Sequence, residues 1–338
     1  MSANDGVKAF YRVYRPKTFD TVVGQDFVTK TLANQIAAGK VGHAYLFCGT
    51  RGTGKTSVAK IFADAVNCEN FHNGKVCGKC AWCTSPNKSM DIFEIDAASN
   101  NGVDAVRDLI ESVKYPPVVG KHKVYIIDEV HMFSGAAFNA LLKTLEEPPA
   151  HVIFILATTE PHKLLPTVQS RCLRFNFQNV ALADLEKVVK GVLQKEKITA
   201  EAAAITMIAK EGQGSVRDAL SFADTVAAYC GAEPITVAAI NRVVGGLDEA
   251  VFATLVGQIA AGDAKGVRAT VNQIFASATG TARILNGTLA ALKDAYVAAP
   301  SPRLATALRT FANLEMTLKY ATDPHGYFET AALVACGA

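Results

Sequence analysis

The sequence predicts an α/β fold built on a parallel sheet, followed by a region made wholly of helices. Short apolar runs alternate with segments of helical spacing up to about residue 178, and beyond that point the strand signals stop. Length adds a third observation: 338 residues, at roughly 150 per domain, allow two to three domains. Half of the residues are apolar, enough for a large core.

Four runs read as strands: 44–48 (AYLFC), 92–95 (IFEI), 124–127 (VYII) and 152–157 (VIFILA). Each is short and rich in β-branched or aromatic residues. Helical spacing fills 55–67, 103–114 and 135–146 between them. Such alternation sets the strands parallel, with helices over both faces. Further on, Leu182, Leu185, Val188, Val189, Val192 and Leu193 share one helical face. Helices are predicted next at 201–210, 215–229 and 236–243, with Gly245-Gly246 as a boundary. Helical patterns then cover 248–261, 264–276, 281–298, 302–321 and 326–336, and Pro300 and Pro302 mark one break. The chain holds no internal repeat and no low-complexity tract.

Lys plus Arg is 34 and Asp plus Glu is 31, a net charge of +3. This excludes a blanket of positive charge, so any nucleic-acid contact is local. From Gly246 onward the charges balance, which suits packing against protein more than against DNA. There is no run of about 18 apolar residues to span a membrane, and residues 1–11 carry no apolar signal-peptide core. The expected location is the cytoplasm. There the eight cysteines need no disulfides.

Residues 49–56 read GTRGTGKT, directly after a predicted strand and before a predicted helix. In that context G-x-x-x-x-G-K-[ST] is a phosphate-binding loop. Gly49, Thr50, Arg51, Gly52, Thr53 and Gly54 turn backbone N–H groups inward, and the helix that opens with Lys55, Thr56 and Ser57 adds its positive end. Lys55 is expected on the β- and γ-phosphates and Thr56 on Mg²⁺. The metal also needs a carboxylate. VYIIDE at 124–129 supplies Asp128 at the end of a buried strand, and Glu129 follows as the base that aligns or activates water. The pair points to a working ATPase or GTPase rather than a binder. Thr158-Thr159 ends the next strand, where a polar side chain can approach the γ-phosphate.

Cys68-x8-Cys77-x2-Cys80-x2-Cys83 packs four of the eight cysteines into one stretch. Four thiolates make a closed, structural Zn²⁺ site. A redox C-x-x-C is the competing reading, although such motifs use a single pair, and His72 could replace one ligand. Cys48, Cys172, Cys230 and Cys336 read as ordinary buried or surface residues.

Together these stretches resemble the gamma/tau subunits of bacterial DNA polymerase III clamp loaders, which are AAA+ ATPases. The resemblance rests on YRPKTFDTVVGQ at 14–25, HAYLFCGTRGTGKTSVAK at 43–60, EIDAASNNGVD at 94–104, VYIIDEVHMFS at 124–134, FNALLKTLEEPP at 138–149, ILATTEPHKLLPTVQSRC at 155–172 and GSVRDAL at 214–220. It implies an AAA+ P-loop domain with a five-stranded parallel sheet at 1–178, a helical lid at 179–243 and an all-helical collar at 244–338. It implies ATP as the nucleotide, Thr159 as sensor 1, and Arg217 as sensor 2, touching ATP from the lid. Arg171, in Ser170-Arg171-Cys172, would be the arginine finger that enters a neighbouring subunit's site. The segment 11–25 would wrap the adenine, with Val22 and Val23 in apolar contact and Arg12 or Arg15 close by; Tyr14 stands where the family often has Trp.

The implied partners are further copies of the chain, delta, delta-prime, the sliding clamp and primer-template DNA. Ser99, Asn100, Asn101 and Gly102, and Ser134, precede helices that would face DNA phosphates, or simply cap them. The collar is short for the family and no long tau-type extension follows it, which fits a gamma-like form, a naturally short homologue or a truncated tau. Two other readings compete. A delta-prime-like stator shares the zinc module and the Ser-Arg-Cys triplet but typically lacks an intact phosphate loop. A helicase loader or branch-migration motor would lack the zinc module and the triplet.

Overall fold

The computed structural model describes residues 9–244, 249–277 and 280–337, so the Gly245-Gly246 boundary lies outside the described residues. Two compact units divide at Asp224/Thr225, within the helix Val216–Cys230.

The first unit holds a five-stranded, all-parallel sheet: β1 (Ala44–Cys48), β2 (Ile92–Asp96), β3 (Lys123–Asp128), β4 (Val152–Thr158) and β5 (Leu173–Asn176), in the order β2-β3-β4-β1-β5. The central strands β1 and β4 are buried along their whole length, so alternation sorts their residues onto two faces rather than into core and solvent. Tyr45, Phe47, Val124, Ile126, Ile153 and Ile155 face the helices Asp26–Ala37 and Lys55–Asn67. Leu46, Tyr125, Ile127, Phe154 and Leu156 face Val103–Val113 and Gly135–Glu146. Parallel strands all end on the same edge, and β1, β3 and β4 therefore deliver their last residues to one place. Beyond β5, the helices Leu182–Lys195 and Ala202–Glu211 pack together.

The second unit is helical: Val237–Val243, Glu249–Ala261, Ala264–Ala276, Thr281–Ala298, Pro302–Ala312, Leu314–Tyr320 and Pro324–Gly337. Its core gathers Leu255, Ile259, Val271, Ile274, Leu292, Phe311 and Phe328. One expectation is corrected here. The helix predicted over 302–321 is broken at Asn313, whose N–H reaches the Arg309 carbonyl only at 3.4 Å. Leu304, Ala307, Phe311, Leu314 and Leu318 are buried on either side of it. Their three-and-four spacing runs through the break unchanged, so periodicity could not reveal it. Among the described residues no helix is long and apolar enough to cross a membrane.

Candidate active site and metal centre

The loop between β1 and the helix Lys55–Asn67 is shaped by glycines that no other residue could replace. Gly52 has φ +76°, and a Cβ there would overlap the Ser215 hydroxyl. Gly49, also at positive φ, would place a Cβ 2.6 Å from the Phe177 carbonyl oxygen. Gln25 is buried and braces the loop: its amide donates to the carbonyls of Gln178 (2.7 Å) and Thr53 (3.4 Å) and accepts from the Gln178 N–H (3.1 Å). Thr50 donates to Asn179 Oδ1 at 2.5 Å, and Thr53 to the Thr50 carbonyl. Lys55 is buried inside this loop, its Nζ donating to the Gly49 and Thr50 carbonyls at 2.8 and 2.9 Å. Burial lowers its pKa, against the opposing pull of Glu129 and Asp128.

The two carboxylates arrive on β3, next to the loop. Thr56 donates to Asp128 Oδ2 at 2.6 Å, and Asp128 Oδ1 accepts the Glu129 N–H at 3.0 Å. Glu129 has φ +47°, left-handed backbone that a non-glycine residue adopts at a cost of about 1 kcal/mol or more. That twist turns its carboxylate toward β4, where Oε2 accepts the Thr159 hydroxyl at 3.0 Å. Loop, Lys55, Thr56, Asp128, Glu129 and Thr159 thus meet at the carboxyl end of the sheet, where a doubly covered parallel sheet holds its ligands.

Arg217 joins this end of the sheet. Its Cβ lies against Gly52 and its guanidinium over the Tyr11 ring, 5.0 Å from the centroid. Of the two arginines expected near the nucleotide, Arg15 reaches the loop helix, its Nε donating to Ser57 Oγ at 2.9 Å. Arg12 is exposed and turns to the Tyr11 hydroxyl. Val22 is packed into the sheet core, Val23 is half-buried and Arg51 is exposed.

Arg171 lies elsewhere. The register Tyr45↔Leu173 sets it beside the start of β1, whereas the phosphate loop follows the end of β1. At about 3.3 Å per residue, these two ends are on the order of 13 Å apart. Its guanidinium pairs with Glu146 Oε1 and donates to the Thr167 carbonyl, both at 2.6 Å.

The four cysteines converge. The sulfurs of Cys68, Cys77, Cys80 and Cys83 all lie within 4.8 Å of one another. Cys83 Sγ is 3.7 Å from Cys68 Sγ and 3.9 Å from Cys77 Sγ. A tetrahedral ZnS₄ centre with bonds near 2.3 Å has edges of about 3.8 Å, so the spacing fits the ion. Backbone N–H groups of Cys77, Cys80 and Cys83 point at sulfurs of the cluster, as thiolates require. N–H donation, chiefly from Lys79, lowers the Cys77 thiol to about 6, and burial drives Cys83 up to about 12. Trp82 is buried under the cluster with Cys68 and Cys80. The other four cysteines are buried (Cys48, Cys336) or half-buried (Cys172, Cys230).

Comparisons with known proteins fit this geometry. Residues 24–181 match the family model of the DNA polymerase III delta subunit, and residues 184–232 that of the DNA polymerase III clamp loader subunit ATPase lid domain. DNA polymerase III subunit tau of Bacillus subtilis is 52% identical over 226 residues, 66% of this chain and 40% of that protein. DNA polymerase III subunit gamma/tau of Mycobacterium bovis is 38% identical over 302 residues, 88% of this chain and 52% of that protein. The chain belongs to the DNA polymerase III gamma/tau family. It spans about half or less of the length of these two relatives. A solved structure of the Thermotoga maritima RuvB Holliday junction branch migration motor aligns over 73% of this chain and 79% of that one, with TM-score 0.53 and 22% identity. That likeness shows a shared AAA+ P-loop fold.

Ser134 caps its helix, its Oγ accepting the Ala137 N–H at 3.2 Å. Ser99 and Asn100 do not cap the helix Val103–Val113. Ser99 bonds the Asp96 carboxylate and Asn100 the Asp96 carbonyl, and Gly102 takes the N-cap position without a side-chain bond. Asn101 accepts the Ser134 N–H at 3.4 Å through its carbonyl. Sequence reasoning does not single out Gln25, Glu146, Asn179 or His131. All but Asn179 lie inside the family stretches, yet no spacing rule assigns them a task.

Proposed function

We propose that this chain is an ATP-hydrolysing motor subunit of the bacterial DNA polymerase III clamp loader. The observation that carries the reading is the triangle of Thr56, Asp128 and Glu129 at the foot of an intact phosphate loop, with Thr159 on the far side of Glu129. Loop N–H groups and Lys55 bind the triphosphate, and Arg217 closes on it from the lid. Thr56 and Asp128 would hold Mg²⁺, which when bound neutralises charge on the β- and γ-phosphate oxygens. Glu129 takes the proton of the attacking water. The new bond forms between that oxygen and the γ-phosphorus, the bond to the β–γ bridging oxygen breaks, and ADP and phosphate leave. Thr159 holds Glu129 in register with the reacting γ-phosphate.

Arg171, at the opposite end of β1, serves a neighbouring subunit and makes hydrolysis depend on assembly. The four cysteines would hold Zn²⁺, which would tie the inserted loop into a fixed module. The domains follow the same reading: nucleotide-binding at 1–178, lid at 179–243 and collar at 244–338. Further copies of the chain, delta and delta-prime complete the ring, and the sliding clamp and primer-template DNA are its substrates.

Steady-state ATP hydrolysis tests this, measured on the chain alone and then with delta, delta-prime, clamp and primed DNA. Weak activity alone that rises strongly with the full set supports the motor. ATP turnover indifferent to clamp and DNA would remove the clamp-loading role. Failure to bind ATP would leave the stator reading.

A further inference from the structure

Between Glu129 and the end of β4 lies a buried imidazole that the mechanism above does not use. The side chain of His131 is only 6% exposed. Its Nδ1 is 3.0 Å from the Thr158 hydroxyl and 3.5 Å from Glu129 Oε2, and its Nε2 is 3.1 Å from Glu160 Oε2. Thr158 and Glu160 flank Thr159, the residue that holds Glu129.

Hydrogen-bond accounting fixes the tautomer. Thr158 is fully buried, and its Oγ1 already accepts the Glu160 N–H at 3.0 Å. Its own buried proton also needs an acceptor, and His131 Nδ1 at 3.0 Å is the one in reach among the described contacts, so Nδ1 accepts. The ring proton then sits on Nε2 and is donated to Glu160, whose carboxylate also takes Lys163 at 2.7 Å. With a lone pair on Nδ1, the 3.5 Å approach to Glu129 is no hydrogen bond, and Glu129 stays with Thr159. Were the proton on Nδ1 instead, it would be shared between Thr158 and Glu129, and the buried Thr158 hydroxyl would be left without an acceptor.

We propose that His131 is a positioning residue for hydrolysis: held as the Nε2–H tautomer by Glu160, it clamps the Thr158–Glu160 turn against the Glu129 turn and leaves the base free. The inference rests on the reading of Glu129 as the base.

The test uses the full chain assembled with its clamp-loader partners. It measures ATP turnover (kcat and KM) and equilibrium affinity for a fluorescent ATP analogue. His131→Ala is expected to lower kcat on the order of tenfold to a hundredfold, the scale of a misplacement near 1 Å, with affinity within about twofold of the parent. His131→Asn, which returns an acceptor to the Nδ1 position, is expected to recover most of that loss. Thr158→Val, which removes the donor, is expected to mimic His131→Ala, and the double variant to be no slower than either single one.

An unchanged kcat in His131→Ala, an Asn variant as slow as Ala, or additive losses in the double variant would each overturn the proposal. If His131→Ala does not fold, Thr158→Val and His131→Asn decide it. Glu129→Gln separates the two levels. If it leaves turnover intact, the reading of the base fails; if it stops turnover while His131→Ala does not slow it, only the present inference fails.

Discussion

The two ends of β1 face opposite demands. At its carboxyl end, the loop lysine, the carboxylates and Thr159 are held by the chain's own contacts. Lys55 is folded into its loop, Thr56 is bonded to Asp128, and Glu129 is held by Thr159. At its amino end, Arg171 is occupied by Glu146 and the Thr167 carbonyl, and no phosphate loop of its own chain lies there. On the proposed reading, one end is preorganised for its own nucleotide, and the other carries a charge that serves a second copy. A parallel sheet imposes this separation, because residues at opposite ends of one strand cannot share a site.

The comparison breaks first at Lys55. Lys55→Ala is expected to abolish nucleotide binding and turnover together, seen by equilibrium titration and by phosphate release, because no other buried cation faces the loop among the described residues. Next is Glu129→Gln. It should lower turnover by about 10²–10⁴-fold, the usual weight of a general base, with ATP affinity preserved. A matching loss of affinity would mean that Glu129 organises the loop rather than the water.

Metal removal sharpens the same contrast from outside the sheet. Trp82 is the chain's single tryptophan, and it is buried beneath the four sulfurs. Chelation should red-shift its fluorescence and lower the melting temperature, while ATP affinity at the separate phosphate loop changes little. Fluorescence unmoved by a chelator that removes the metal would show that the module stands without it. The smallest effect belongs to Glu146→Gln. The ion pair is partly exposed, with side chains 32% and 47% accessible, so stability should change by less than about 1 kcal/mol. Thermal denaturation measures it.

Much of this was legible in the residues. β1, β3 and β4 stand out because parallel strands buried on both faces are continuous apolar runs, and β2, an edge strand that is only half-buried, stands out by Ile92, Phe93 and Ile95. β5, at the other edge, does not: of Leu173–Asn176 only Phe175 is buried, and Arg174 and Asn176 interrupt the apolar run. The helix Asp26–Ala37 carries a readable stripe in Val28, Leu32 and Ile36, ahead of the first strand. The phosphate loop and the cysteine cluster were legible because local spacing determines their chemistry. The links of Gln25 to Gln178, Glu146 to Arg171 and His131 to Glu160 were not. They join residues by register across the sheet and by loop packing, and neither is written in the spacing of a single segment.

The central claim is that the carboxyl end of β1 works in its own chain and Arg171 in another. Mixing tests it most directly. Arg171→Ala and Glu129→Gln chains are each assembled with the other subunits, then co-assembled, and ATP turnover is measured. Each alone should be nearly inactive, since an arginine supplied in trans is worth on the order of 10³-fold or more. Co-assembly should restore turnover, because a Glu129→Gln chain can lend its arginine to the intact site of its neighbour. A mixture as inactive as its components, from rings shown to contain both chains, would contradict the account and return Arg171 to its own subunit.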